Sequence, residues 1–399
     1  MTEPRTTTDD TDKDPAPQAD GDAAPAARLA DVGHSGVLTV DLAAIVENHR
    51  RLHMTSKLRS AAAVVKADAY GLGAERVGPA LARAGVRSFF VATLEEGLDL
   101  RAALDAAVPA CSIYVLGGPL PGSEPLFEEH KLMPVINSLG QLETWRRYNK
   151  AREQVLPAAL HVDTGLSRMG FPRQEVEKLA EYPALLDGTL PLLIVSHLVA
   201  AEEPAHPMNR LQLEAFRAAL KLLPSTSASL ANSSGIFLGD DYHFNMVRCG
   251  AALYGVNPTP GQPNPMTQVV QLKARILQTR WIDAPQSVGY GASHKVSRPT
   301  RIATVSAGYA DGLFRSLSNR GKVWAAGREV PVVGRVSMDF LTIDITDLEP
   351  EAVGAGDFVE ILGPNRDIDA LAAEAGTIGY EMLTDLGKRY HRVYLQGDG

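Results

Sequence analysis

Ala61-Ala62-Ala63-Val64-Val65-Lys66-Ala67-Asp68-Ala69-Tyr70-Gly71-Leu72-Gly73 is a short apolar run that ends in one lysine and then turns through small residues. A run of this length bounded by breakers fits a strand buried on both faces, and Gly71 and Gly73 let the chain turn tightly into a helix. Lys66 therefore stands at a strand's carboxyl end. There it loses hydration, which favours the neutral amine, the form that attacks a carbonyl carbon. A lysine stem snorkelling to solvent is the plain structural alternative. Tyr70, four residues on, can reach back over the same rim.

Outward from this stretch, short apolar runs alternate with segments of helical period. The runs are Ala61–Val65, Phe89–Thr93, Ser112–Leu116, Met133–Ile136, Ala158–Val162, Leu193–His197, Ser227–Ala231 and Met246–Arg248. Between them lie helical stretches such as Gly73–Ala84, Leu94–Leu104, Leu139–Asn149, Gln174–Tyr182 and Met208–Leu223. Such alternation implies a parallel sheet. Eight units in roughly 200 residues imply an α/β fold closed as a TIM-type (β/α)8 barrel, although a doubly wound sheet has the same local signature.

Upstream, residues 1–35 are rich in Asp, Thr, Ala and Pro and are expected to form a disordered acidic tail. Val37–Val40 then alternates as a strand, and Asp41 is the expected N-cap of a helix through His53. The barrel is expected to span 36–265. After about Gly261 the texture changes to runs such as Gln268–Thr279, Thr300–Ala307, Lys322–Ala325, Val330–Val333, Phe340–Ile345 and Phe358–Ile361, separated by Gly, Pro and Asp. Residues 266–399 are therefore expected to form a mainly antiparallel C-terminal β domain, with a short helix at Ile368–Ala375.

Composition narrows the partner. The 399 residues carry a formal net charge of -8, which leaves no electrostatic footprint for nucleic acid or an anionic membrane and points to a small molecule. Cys111 and Cys249, the two cysteines, supply neither a disulfide framework nor a metal-ligand spacing, which fits a reducing cytoplasm. No apolar run reaches the roughly 18 residues of a membrane span.

In a barrel, chemistry collects at the carboxyl ends of the strands. Polar residues cluster at those ends here: Lys66 after the first run, His161 and Asp163-Thr164-Gly165-Leu166-Ser167-Arg168 at the fifth, His197 at the sixth, Asn232-Ser233-Ser234-Gly235 after the seventh, and Arg248-Cys249-Gly250 at the eighth. Five such clusters on one rim favour a barrel and an enzyme. Small residues after strands seven and eight (Ser233, Ser234, Gly235, Gly250, Ala251) expose backbone N–H groups as a phosphate cradle does. Paired with Lys66, they point to a phosphorylated aldehyde cofactor. Arg248 ends a buried run and needs a partner, either a structural ion pair or the ring nitrogen of such a cofactor. His197, amid apolar residues, reads as a residue behind the ligand-contacting groups. Arg168, in a loop of small residues, is suited to binding an anion. In the second half, Val288-Gly289-Tyr290-Gly291-Ala292, Ser306–Gly312 around Tyr309, and Gly334–Asp339 each set a functional side chain in a small-residue turn.

Lys66–Gly73 resembles the pyridoxal phosphate (PLP) attachment motif of bacterial alanine racemases, and the likeness runs from about Val37 to Val393 in order. The resemblance implies a PLP barrel closed by a partner subunit's β domain, in a homodimer with shared active sites. It implies interconversion of L- and D-alanine by two bases, supplying D-alanine for peptidoglycan. On matching positions, Lys66 carries PLP and acts on one face of the substrate, while Tyr290 of the other copy acts on the opposite face. Racemisation needs two such groups, since one removes the α-proton and the other returns one from the far side. A free tyrosine has a pKa near 10, and the family's help for this tyrosine maps onto His197 and Arg248. Tyr70, Ser233, Gly250, Ala251 and Tyr380 match phosphate-site positions. Arg168 and Met338 match those that hold the substrate carboxylate, and Tyr309 and Asp339 match the pocket wall. One departure is His161, where many members have a carbamylated lysine that orients the arginine; no carbamate is expected here. Asp68 replaces a common asparagine. A broader PLP amino-acid racemase (serine, for example), a non-catalytic PLP-binding protein and a PLP decarboxylase are the alternatives. The decarboxylase's acidic partner for the ring nitrogen is unmatched, because Arg248 stands there.

Overall fold

The structure, a computed structural model, describes Met1, residues 33–108 and residues 110–396. The tail expected over 1–35 lies almost wholly outside these residues, and the described residues from Ser35 onward form one compact unit. After a first strand, β1 (Gly36–Asp41), come eight strands that pair in parallel: β2 (Ser60–Val64), β3 (Ser88–Val91), β4 (Ser112–Val115), β5 (Leu132–Ile136), β6 (Leu156–His161), β7 (Thr189–Val195), β8 (Ser227–Ser229) and β9 (Met246–Cys249). They lie in the order β8-β7-β6-β5-β4-β3-β2-β9. Between β8 and β9 the N–H groups of Asn245 and Arg248 donate to the carbonyls of Ala228 (3.1 Å) and Ala231 (2.9 Å), which joins the two ends of the sheet into a ring.

Alternate residues of each strand serve two layers. Ala62, Val64, Phe90, Tyr114, Met133, Val135, Ala159, Leu193, Val195 and Met246 pack together inside the ring, where Phe90 stacks on Tyr114 at 4.6 Å. The other set faces the surrounding helices, among them Leu94–Asp105, Leu139–Ala151, Arg173–Glu181 and Pro207–Leu222. Burying one side chain of Leu or Phe size contributes about 1.5–3 kcal/mol, so the large apolar layers on both faces hold the strand ends that carry the polar rim.

The second half is built from β10 (Val270–Ile282), the small hairpin β11 (Ser287–Val288) and β12 (His294–Lys295), then β13 (Thr300–Val305), β14 (Lys322–Ala325), β15 (Arg328–Pro331), β16 (Leu341–Asp344), β17 (Phe358–Leu362) and β18 (His391–Leu395). The expected helix Ile368–Ala375 is present, and a second, Gly379–Thr384, follows it. Apart from β11 and β12, these strands form one mixed sheet, antiparallel except that β1 runs parallel to β18. β1 lies between β10 and β18, with Leu38 opposite Leu272 and Arg392. A barrel boundary drawn at residue 36 therefore does not follow the sheets: alternation marks 37–40 as a strand but carries no information about its partners. The pairing with β1 also brings Arg392 and Tyr394 of β18 to the turn after β2, at the barrel rim. No helix among the described residues is long and apolar enough to cross a membrane.

Candidate active site

At the end of β2 the chain does not continue into an ordinary turn. Ala67, Asp68, Ala69 and Tyr70 all adopt left-handed φ angles between 51° and 56°. For L-residues this costs about 1–2 kcal/mol each, so the surroundings must impose it. At the start of the turn the Ala67 N–H donates to Glu96 Oε1 at 2.7 Å. At its end Arg392 donates to the Gly71 carbonyl at 2.6 Å, and the Tyr394 hydroxyl donates to the Leu72 carbonyl at 3.0 Å. Gly71 and Gly73 are required here, since a Cβ on either would lie 2.4 Å from Leu383 O or the Tyr394 hydroxyl respectively. Asp68 caps the next helix, accepting from Ala74 N at 2.7 Å.

The turn leaves Lys66 half-buried on the rim. Desolvation, reinforced by Arg168 and opposed by Glu96, holds its amine below the usual lysine range, toward the nucleophilic neutral form. The turn also swings Tyr70 onto Tyr254, 4.8 Å between rings. A Cβ at Gly250 would lie 2.8 Å from the Tyr70 hydroxyl, so the loop after β9 keeps its backbone bare beside that hydroxyl. Ser233 Oγ accepts from Gly250 N at 2.9 Å and Ala252 N at 3.3 Å, which binds the loops after β8 and β9 into one cradle. Burial and the neighbouring Tyr380 push the Tyr70 phenol up, so it is a neutral donor. These residues fit a phosphate group: bare backbone, a hydroxyl pair and no carboxylate of their own. Ser234 Oγ donates to the Glu202 carboxylate at 3.5 Å.

Across the rim, Arg248 is buried, and its partners are not the ion pair allowed by the sequence. Its guanidinium donates to Ser229 O (2.9 Å), Ser229 Oγ (2.7 Å), Ser196 O and Leu230 O (3.4 Å), and faces His197 Nδ1 at 3.4 Å. A buried cation held by carbonyls and hydroxyls keeps its positive field, and burial brings its own pKa down to about 10. Because arginine only donates, His197 Nδ1 accepts and the proton sits on Nε2. Burial, Arg248, Arg168 and Lys66 push His197 down to about 3, and burial with Arg248 pushes His161 down to about 4. His161 Nδ1 meets Asn137 Oδ1 at 2.7 Å. The Asn137 amide nitrogen donates to Leu116 O and Val135 O, so its oxygen accepts and His161 keeps Nε2 as a free acceptor. Arg168 is exposed in the loop that Asp163 organises by accepting from Gly165, Leu166 and Ser167 N–H at 2.9–3.1 Å.

Both imidazoles are neutral in the fold and titrate near 6.5 when unfolded. Below about pH 6.5 the unfolded chain then binds more protons, so stability rises with pH between roughly 4 and 6.5 and falls on acidification. Replacing His197 by Asn is expected to flatten this slope by up to one proton, about 1.4 kcal/mol per pH unit, in denaturant unfolding at pH 5 against pH 7.

The remaining candidates lie in the second half. Tyr290 is 72% exposed between Gly289 and Gly291, where a Cβ on either glycine would lie 3.1–3.2 Å from Arg335. Tyr309 N donates to Ser337 O and Ala310 N to Met338 O, each at 3.0 Å. Arg389 ties both segments together by a fork on Asp311 (2.6 and 2.7 Å) and a bond to Asp339 (2.6 Å). Among the described residues, Tyr290, Tyr309, Met338 and Asp339 make no hydrogen bond or ion pair with Lys66, Arg168, His197 or Arg248 of the same chain. Glu96, Asn137, Arg389 and Arg392 hydrogen-bond to Ala67, His161, Asp339 and Gly71, and the sequence does not single them out. Thr93-Leu94-Glu95-Glu96 carries a capping-box signature, but that signature marks a helix start and says nothing of Ala67.

A barrel whose rim sets a desolvated amine against a phosphate cradle belongs to the class of enzymes that bind a phosphorylated carbonyl cofactor through lysine. The alanine racemase N-terminal domain profile matches residues 40–258, and the C-terminal domain profile matches residues 269–394. The chain is 48% identical to an alanine racemase of Rhodospirillum rubrum, over 90% of this chain and 96% of that protein. It is 47% identical to a catabolic alanine racemase of Mesorhizobium japonicum, over 92% and 96% of the two chains. The alanine racemase of Bartonella henselae, solved with covalently bound pyridoxal phosphate, superposes with a TM-score of 0.86 at 41% identity, covering 90% of this chain and 99% of that one. The chain belongs to the alanine racemase family.

Proposed function

We propose that this protein interconverts L- and D-alanine with PLP held on Lys66, the reading best carried by one observation: a desolvated lysine and a phosphate cradle share one barrel rim in a chain of this family. Bound PLP supplies an electron sink that makes the α-hydrogen of an amino acid acidic. Tyr70, Ser233, Gly250, Ala251 and Tyr380 hold its phosphate. Arg248, a cation pinned by carbonyls, would stand at the ring nitrogen of bound PLP and keep it unprotonated, which suits a reaction that only moves a proton. Arg168 and Met338 hold the substrate carboxylate, and Tyr309 and Asp339 narrow the pocket to small side chains.

Lys66 moves the α-proton on one face. The second base is Tyr290 of another copy of the chain, because in its own chain it is exposed and bonded to none of the rim residues. The neutral His197, with Nε2–H available beside Arg248, is suited to stabilise a phenolate brought to it. The active unit is then a head-to-tail homodimer in the cytoplasm, each copy made of the barrel of β2–β9, ending near residue 265, and a β domain over 266–399 whose sheet also takes in β1. His161, neutral with a free Nε2, takes the place of a carbamate beside Arg168. The test is incubation of the protein and PLP with L-alanine in deuterated water. Deuterium at Cα of D-alanine and of recovered L-alanine is expected; exchange without inversion contradicts the racemase reading.

A further inference from the structure

Glu96 has no place in the two-base chemistry of Lys66 and Tyr290, yet its carboxylate joins the two strand ends that flank Lys66. Oε1 accepts from Ala67 N, the first residue after Lys66, at 2.7 Å. Oε2 accepts from Ala92 N, just past β3, at 2.7 Å, and from Thr93 N at 3.4 Å. Val65 N also donates to Phe90 O at 2.9 Å, so Lys66 sits between a strand bond behind it and the carboxylate bridge ahead. The half-buried Glu96 grips the left-handed turn at its first amide, where the backbone leaves β2 and changes hand. We propose that Glu96 is a positioning residue for racemisation: by tying Ala67 to Ala92 it fixes where the Lys66 amine and the Tyr70 hydroxyl stand relative to each other.

The bridge needs both oxygens and the full length of the glutamate side chain. An amide keeps an acceptor at only one of the two oxygen positions and sets an NH2 donor against the other backbone N–H; an aspartate is one methylene too short to span both. The carboxylate also supplies the one negative charge that offsets Arg168 at the Lys66 amine. A helix-capping role alone is the competing explanation, since Glu96 and Thr93 form a capping box in which Glu96 N donates to Thr93 Oγ1 at 3.4 Å. Thr93→Ala separates the two, because it removes the cap hydroxyl and leaves the carboxylate bridge in place.

This inference rests on Lys66 carrying PLP, which is tested independently by whether the parent yellows with PLP and turns over alanine while Lys66→Ala does neither. With that shown, Glu96→Gln and Glu96→Asp are expected to lower kcat about 10- to 100-fold, with KM for alanine within about twofold, and to weaken PLP binding to the cofactor-free protein about tenfold. The visible absorption of the bound cofactor shifts as the amine moves. Thr93→Ala keeps kcat within about twofold of the parent and loses only thermal stability. If Glu96→Gln does not fold, Glu96→Asp, which keeps the charge and cap chemistry, gives the same readout. Parent-like kcat and PLP affinity in the folded Glu96 variants would overturn the inference. So would an equal loss of kcat in Thr93→Ala.

Discussion

Lys66→Ala is expected to leave a folded, colourless protein that does not yellow with PLP and racemises alanine at least about 10⁴-fold more slowly than the parent. The size of the effect follows from two roles lost together, the covalent hold on the cofactor and the proton transfer on one face. Folding is expected to survive, because the strained turn is held by Glu96 at its start and by Arg392 and Tyr394 at its end, none of which uses the lysine amine. The cradle is likewise built without Lys66, through Ser233 and the loop after β9. Phosphate affinity should therefore outlast the loss of colour, and inorganic phosphate should still protect the variant's cradle. Absorbance on PLP addition and a D-alanine assay check this. A Lys66→Ala protein with parent-like turnover contradicts the assignment.

Tyr290→Phe is expected to cost about 10²–10⁴-fold in kcat while the protein still yellows with PLP. The substitution removes one hydroxyl from a side chain that is 72% exposed in the single chain, so almost no folding energy is at stake. The loss should be lopsided. With Lys66 intact, exchange of the α-hydrogen with solvent continues from the enantiomer that Lys66 serves and collapses from the other. Following deuterium entry from L- and D-alanine separately measures this, and equal exchange from both enantiomers contradicts a two-base division of labour.

Most of the barrel could be read from residue order, since each of the eight apolar runs becomes a strand within a few residues of the expected limits. Apolar runs and helical periods are local, and local pattern is what a sequence displays. The left-handed turn was not legible: Ala67, Asp68, Ala69 and Tyr70 have no shared preference for that region, and the groups that enforce it stand 29 residues away at Glu96 and 321 residues from Gly71 at Arg392. Of the two partners the sequence allows Arg248, the ion pair is absent among the described residues, for a related reason. A buried arginine suggests a carboxylate, whereas strand ends on a barrel rim offer backbone carbonyls, Ser196 O and Ser229 O here, that no side-chain motif announces. The placement of β1 beside β18 is a third case, a pairing between the two ends of the described chain.

In the proposed arrangement the amine and the phenol of one site come from different copies of the chain. It is tested most directly by co-expressing Lys66→Ala and Tyr290→Phe subunits in equal amounts. Random pairing makes half the dimers mixed, and a mixed dimer has one site with both groups intact, so about a quarter of parental activity is predicted from two inactive proteins. Activity no greater than the sum of the two variants alone, in preparations shown to contain mixed dimers, would contradict the account.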